Sequence, residues 1–449
     1  MEKIINCILV LLIGFAGIVS AQNPIVPAGT YIADPSAHQW KDGKMYIYGS
    51  RDESPDYYCS HRYDVLSSED MKTWTLHKNT FASKGQNDQV NYSDDFLYAP
   101  DCQYKDGLYY LYYCLANSTK TEGVAVSKSP EGPFIGGKNI ELAGYNEIDP
   151  CVFMDDDGQA YYIWGQFNAK IAKLKPNMIE IDTTTIRENV VTEKEHFFHE
   201  GAYMVKRNRI YYLIYAHMGR AGKPTCIGYA TSKSPMGPYT YGGVIVDNDH
   251  SDPKCWNNHG SIAEFNGKWY VFYHRPTHGS NTMRKACVEP ISFREDGSIP
   301  EVEMTSQGAG EPFKLNTKID AERACLLYGN TRIKAISADN EALCEIQNDD
   351  AAAFKYVDFK EGCDSLKINL LPGTKGFTID IKLDNSWGSS IGRINVPSNA
   401  GSNEAKTFAC KIKPTNGIHA VWLKFWGTPD EIAYIDWLSF FNNNSNEST

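Results

Sequence analysis

Leu97-Tyr98-Ala99-Pro100-Asp101-Cys102-Gln103-Tyr104-Lys105-Asp106-Gly107-Leu108-Tyr109-Tyr110-Leu111-Tyr112 reads as an acid at the head of a short strand, a tight Asp-Gly turn and a returning aromatic strand. The same unit occurs four more times. Ile32-Ala33-Asp34-Pro35 leads to Met45-Tyr46-Ile47-Tyr48, and Ile148-Asp149-Pro150 to Ala160-Tyr161-Tyr162-Ile163-Trp164. His199-Glu200-Gly201 leads to Ile210-Tyr211-Tyr212-Leu213-Ile214-Tyr215, and Asn258-His259-Gly260-Ser261 to Trp269-Tyr270-Val271-Phe272-Tyr273. Hairpin residues stand between the strands of each pair, as in Asp42-Gly43, Asp157-Gly158, Arg207-Asn208 and Asn266-Gly267. A unit of about 50 to 60 residues with several short strands has the dimension of a propeller blade. Five such units fit residues 24–312, so the expected fold is all-β, a five-bladed β-propeller. From Leu315 to Phe441 the repeat stops. Alternating runs such as Gly376-Phe377-Thr378-Ile379-Asp380-Ile381-Lys382-Leu383 predict a second domain there, a β-sandwich of jelly-roll type. The polar tail 442–449 is expected to be disordered.

The remaining sequence bounds the function. A chain of 449 residues with 42% hydrophobic and 22% charged content is globular, which excludes disorder and collagen. Lys and Arg number 44 against 55 Asp and Glu, a net charge of −11, so no positive field gathers nucleic acid or an anionic membrane. Twenty-eight Tyr and nine Trp supply flat faces with a polar edge, suited to sugar rings and to β packing alike. Lys3, the apolar run Ile4 to Val19 and the small residues of Val19-Ser20-Ala21 predict a signal peptide over 1–21, hence export to the periplasm or the medium. No later run reaches the ~20 apolar residues of a membrane span, so membrane insertion is not expected. Of the 12 Cys, Cys7 falls in the leader, and the rest lack CxxC spacing, which predicts buried thiols rather than bridges.

In a propeller the innermost strand of each blade lines the central channel, so the residues that begin it converge at one mouth. Here these are Asp34, Asp101, Asp149, Glu200 and His259. Several acids facing one pocket push their pKa values apart, leaving one ionised and another protonated near neutral pH. Acetal hydrolysis needs that pair: a carboxylate base beside the anomeric carbon and a carboxylic acid at the leaving oxygen.

Ala33-Asp34-Pro35, Tyr98-Ala99-Pro100-Asp101, Ile148-Asp149-Pro150, Glu200-Gly201 and Asn258-His259-Gly260 together resemble the motif set of glycoside hydrolase family 43. The resemblance implies an inverting glycosidase with Asp34 as general base, Glu200 as general acid, and Asp149 orienting the acid and tuning its pKa. It implies that His259 organises water or a calcium ion, and that Arg284 contacts substrate and the tuning Asp149. Tyr98, where many members carry Trp, keeps an aromatic wall. Candidate substrate contacts are therefore Tyr98, Asp101, Trp164, His259 and Arg284. Within the family, Tyr58-Cys59-Ser60, Pro224-Thr225-Cys226-Ile227-Gly228-Tyr229-Ala230 and Trp256-Asn257-Asn258-His259 resemble exo-acting members that remove α-L-arabinofuranose or β-D-xylose from arabinoxylan-type plant polysaccharide.

The second domain is similar to a family 6 carbohydrate-binding module through Ile319-Asp320-Ala321-Glu322, Tyr356-Val357-Asp358-Phe359, residues 417–425 and Ile435-Asp436-Trp437. That resemblance implies a structural calcium at Asp320, Glu322 and Asp436, and no organic cofactor. The aromatic residue usual in its later sugar-binding loop is missing near Glu404-Ala405-Lys406-Thr407-Phe408, leaving Trp387 and Tyr356 as candidate sugar contacts, or a domain that only braces the propeller. Three readings compete: the arabinofuranose- or xylose-releasing exo-glycosidase, an arabinanase or galactofuranosidase of the same fold, and a non-catalytic sugar-binding propeller. The last has no use for three converging carboxylates. A metallohydrolase would need an HExxH or a histidine cluster, and the sequence has neither.

Overall fold

A computed structural model describes residues 18–19, 22–117, 119–220, 222–360, 362–398, 403–427 and 432–442. Most of the expected leader and all but the first residue of the expected disordered tail lie outside the described residues. Of the leader, only the backbone of Ile18–Val19 is described, paired with Thr75 and Trp74. The molecule is built almost wholly of strands. Blade I comprises Ile32–Gln39, Met45–Arg51, Arg62–Ser68 and Trp74–Ala82, and blade II comprises Asp101–Lys105, Leu108–Cys114, Glu122–Ser127 and Ile135–Asn139. Blade III has three strands, Cys151–Met154, Ala160–Trp164 and Lys170–Leu174. Blade IV has four (Phe198–Arg207, Ile210–His217, Cys226–Ser232, Thr240–Asp247) and blade V three (Ser261–Phe265, Lys268–Thr277, Ser280–Ile291). All are antiparallel meanders.

The turns obey their sequence. At 106–107 and 266–267 both central residues, Asp-Gly and Asn-Gly, have positive φ, the type I′ geometry that matches strand twist, and at 208–209 Asn208 is followed by Arg209, which also adopts positive φ. Aromatic residues of the second strands fill the spaces between blades. Tyr48, Tyr112, Tyr162, Tyr212 and Tyr273 are all essentially buried, and each would contribute roughly 1.5–3 kcal/mol by leaving water. The chain closes the ring by returning its beginning to its end. Ile25 N–H donates to the Ala286 carbonyl at 2.9 Å, and the buried Asn23 side chain both donates to the Val288 carbonyl (2.9 Å) and accepts from the Val288 N–H (2.8 Å).

The C-terminal domain runs from Phe313–Lys314 to Ile432–Phe441 as two layers of one curled sheet, joined at the Gly392–Ile412 pair. Ile368, Leu370, Leu438 and Ile435 of one layer meet Ile379, Ile381, Val421 and Leu423 of the other in a common apolar core. It docks on blade V through buried polar contacts. Lys285 pairs with Glu341, which also accepts from the Tyr31 hydroxyl at 2.7 Å. Each of the 11 described cysteines is a free thiol, eight of them buried, as their strand-like contexts predict.

Candidate active site

The acids at the blade starts are set by breaks in the strands that carry them. Pairing in blade I slips between Ala33 and Ser36, and in blade IV between Phe198 and Glu200 and again between Glu200 and Tyr203. Such bulges re-aim side chains. Asp34 and Asp149 adopt left-handed φ of 53° and 64°, conformations held only where the surroundings over-determine them. Gly201, at φ 66°, follows the acid of blade IV. A Cβ there would lie 2.5 Å from His259 Nε2, so both backbone and imidazole demand glycine.

These residues meet in a cavity of about 240 Å³ lined by Asp34, Tyr98, Asp149, Glu200, His259 and Arg284, with Tyr58, Gln166, His199 and Trp256 among its walls. Its volume falls below the ~300–1,000 Å³ of drug-sized sites and suits a single sugar ring.

Asp34 is buried and accepts from Ser50 Oγ (2.5 Å) and Arg284 Nη1 (2.9 Å). Burial alone would raise its carboxyl, but the Arg284 guanidinium, with help from His259, holds it down to about 2. Arg284 is itself fixed by Asp52, which accepts from its Nε and Nη2 at 2.9 Å each. The backbone N–H of Asp34 donates to His274 Nδ1 (3.1 Å), so His274 carries its proton on Nε2 and donates to Asn257 Oδ1 (2.9 Å). Burial keeps that imidazole neutral.

Asp149 behaves oppositely. Burial first, then the negative charges of Glu200 and Asp34, push its carboxyl well above the usual range. His259 lies between the two aspartates, its Nδ1 3.5 Å from Asp34 and 3.9 Å from Asp149. Glu200 is partly exposed at the mouth, and its Oε2 accepts from Gln166 Nε2 at 2.8 Å. Gln166 is held in turn, its N–H bonded to Glu147 (2.8 Å), which is paired with Lys170 (2.7 Å). The site therefore sets an ionised carboxylate, Asp34, against a second acid, Asp149, whose proton is held more tightly than usual, around one sugar-sized space.

Three sequence expectations are corrected. Trp164 is fully buried in blade III, its Nε1 donating to the Tyr145 carbonyl (2.8 Å), and is absent from the pocket wall. Asp101 lies beneath the pocket floor, where it accepts from Ser36 Oγ (2.5 Å) and the Val152 N–H (2.7 Å) and pairs with His38 (2.7 Å). It ties blades I, II and III together instead of reaching substrate. The Arg284 guanidinium bonds Asp34 and Asp52 rather than Asp149. Asp52, Gln166, Glu147 and His274 were not singled out from sequence.

The expected calcium residues gather around the Lys318 ammonium, which feels the charges of Asp320, Asp436 and Glu322. Asp320 pairs with Lys318 (2.9 Å), Asp436 accepts from Asn340 (2.9 Å), and the Glu322 carboxyl, whose Oε2 lacks a hydrogen-bond partner, is pushed up to about 7 by burial. Among the described residues no group of three or more His, Cys, Asp or Glu is arranged to hold a metal, at these positions or around His259. Trp387 is 83% exposed, whereas Tyr356 donates to Glu303 at the junction between the domains.

Comparison with known proteins agrees with this geometry. The family model "Glycosyl hydrolases family 43" matches residues 21–299, and "Carbohydrate binding module (family 6)" matches 320–442. A xylosidase/arabinosidase of Thermoclostridium stercorarium is 31% identical over 90% of this chain and 96% of its own length. The solved arabinoxylan arabinofuranohydrolase of Bacillus subtilis, in complex with cellotetraose, covers 95% of this chain and 99% of its own at 27% identity and TM-score 0.54. A β-xylosidase/α-arabinofuranosidase from a compost metagenome, solved with xylotriose in a calcium-free form, covers 64% of this chain and 98% of its own at 31% identity and TM-score 0.54. The one-sugar pocket at the mouth of five blades is thus that of a glycoside hydrolase, and the chain belongs to glycosyl hydrolase family 43, with a C-terminal domain that matches the family 6 carbohydrate-binding module.

Proposed function

We propose that the protein is an exported, inverting exo-glycosidase that removes α-L-arabinofuranosyl or β-D-xylosyl residues, or both, from arabinoxylan-type polysaccharide. The observation that carries this reading is the split between Asp34, held ionised by Arg284, and Asp149, whose carboxyl burial and neighbouring charge push up beside Glu200, on the walls of a pocket with room for one ring. In the reaction Asp34 takes a proton from water as its oxygen attacks the anomeric carbon. The glycosidic bond breaks with its electrons passing to the leaving oxygen, which Glu200 protonates. Asp149, its own carboxyl pushed up by burial and by the charge of Glu200, orients and tunes the acid through electrostatic coupling. Export rests on the leader over 1–21. The relatives' names supply the sugar class: xylosidase/arabinosidase and arabinoxylan arabinofuranohydrolase.

The test is hydrolysis of aryl α-L-arabinofuranoside and aryl β-D-xyloside by the chain lacking its leader, with Glu200→Ala as control and the first-formed anomer followed by NMR. Release that vanishes in the variant, with inverted configuration, supports the reading. Inertness toward both sugars refutes the substrate class, and retained configuration refutes the mechanism.

A further inference from the structure

Residues 248–258 link blade IV to blade V and deliver Trp256 and Asn257 to the pocket wall. The segment has no regular strand or helix. Its ends are tied to the propeller: Asn248 Nδ2 donates to the carbonyls of Asn257 (2.6 Å) and His274 (2.7 Å), and Asn258 Nδ2 donates to Thr225 (2.8 Å). Its middle is held largely from the other domain. Arg332 Nε pairs with the fully buried Asp252 carboxylate at 2.9 Å, and Arg332 Nη2 donates to the Pro253 carbonyl at 2.8 Å. Leu327 N–H donates to the His250 carbonyl (2.7 Å), and the His250 ring stacks on Tyr328 with centroids 4.6 Å apart. The second Asp252 oxygen accepts from the Gly279 N–H at 2.7 Å, on the blade V hairpin whose next residue but one, Asn281, accepts from the Trp256 N–H at 2.8 Å.

A buried aspartate costs several kcal/mol to desolvate unless it is paired, and the cation paired with this one comes from the C-terminal domain. Trp256 remains 37% exposed at the rim, an apolar face able to meet the part of the substrate outside the one-ring pocket. We propose that Arg332 of the C-terminal domain is a positioning residue that, through Asp252 and the Pro253 carbonyl, fixes segment 248–258 and thereby Trp256, making the second domain part of the substrate-recognition surface. The inference rests on the glycosidase reading above and adds to it a role for the second domain that needs no sugar bound there. Because Asn257 and Asn258 are also held from the propeller side, loss of Arg332 falls on the rim and spares the acid and base.

The experiment compares Arg332→Gln with wild type on an aryl glycoside, which fills only the pocket, and on an arabinoxylan oligosaccharide, which extends beyond it. The expected result is a rise of about tenfold in KM for the oligosaccharide, with kcat on the aryl glycoside within threefold and partial rescue by Arg332→Lys. Amide exchange should quicken across 248–258 and stay unchanged across Ile32–Gln39. If Arg332→Gln fails to fold because it strands the Asp252 charge, Asp252→Asn/Arg332→Gln asks the same question with that charge removed. Unchanged exchange at 248–258, or equal losses on both substrates, overturns the proposal. If wild type hydrolyses neither sugar, the proposed function fails instead, and exchange alone still decides whether Arg332 holds the segment.

Discussion

Replacing Arg284 with Gln removes the cation that serves two buried carboxylates at once, Asp34 and Asp52. In the folded enzyme the Asp34 carboxyl is held at about 2 against an ordinary 3.8, nearly two pH units, or ~2.5 kcal/mol in favour of the charged base. Burial works in the opposite direction, so removing the guanidinium carries the carboxyl past 3.8 rather than merely back to it. The acid limb of kcat/KM, which reports the base of the free enzyme, should therefore climb by two pH units or more. The assay is kcat/KM for an aryl glycoside between pH 2.5 and 9. Stranding Asp52 costs about 3–5 kcal/mol, so folding is checked by near-UV circular dichroism at each pH, and Asp52→Asn/Arg284→Gln carries the same test without the stranded charge. An acid limb that coincides with wild type in a folded variant would show that Arg284 does not set the ionisation of Asp34.

Asp34→Ala and Glu200→Ala should each lose about 10²–10⁴-fold in kcat while keeping the wild-type far-UV spectrum, measured by steady-state kinetics. Gln166→Ala, which removes the donor to Glu200 Oε2, should lower kcat roughly fivefold, the worth of an ordinary hydrogen bond of about 1 kcal/mol, and an unchanged kcat would deny Gln166 any part in orienting the acid. The depressed Asp34 contributes stability that is present above pH 3.8 and lost as pH falls through about 2, so in urea unfolding the deficit of Asp34→Asn should be wide at pH 6 and narrow at pH 2.5. Trp387→Ala should leave aryl-glycoside turnover unchanged and weaken retention on insoluble xylan by several-fold in a pull-down, as its exposed ring is the available sugar platform among the two aromatic candidates.

The blades were legible because each is a local unit: an alternating aromatic strand and a turn with residues suited to positive φ repeat within a few dozen positions. The site was legible to the extent that blade starts converge. Asp101 shows where that reasoning stops. Asp34 and Asp149 precede a proline and sit where the ladder is broken or has not begun, whereas Asp101 follows Pro100 and is paired as the first residue of its strand. The order of acid and proline was the available signal. Trp164 misled because every residue of Ala160–Trp164 is buried, so strand parity does not separate the core face from the channel face. Asp52 meets Arg284 across 232 residues and His274 meets Asp34 across 240, pairings that no local pattern encodes. Arg332 and Asp252 likewise meet across two domains.

The seam between Asn23–Ile25 and blade V gives the molecule a calendar as well as a shape. The amino-terminal segment meets its blade V partner only after some 265 further residues have been made, so it must wait while four blades assemble. Contacts of such long separation form late and slowly. For a chain expected to emerge from a translocation pore in sequence, the first residues out are the last to find their place. Cutting the seam at either side should leave an open arc of blades whose channel mouth, and the acids gathered there, lose their common centre.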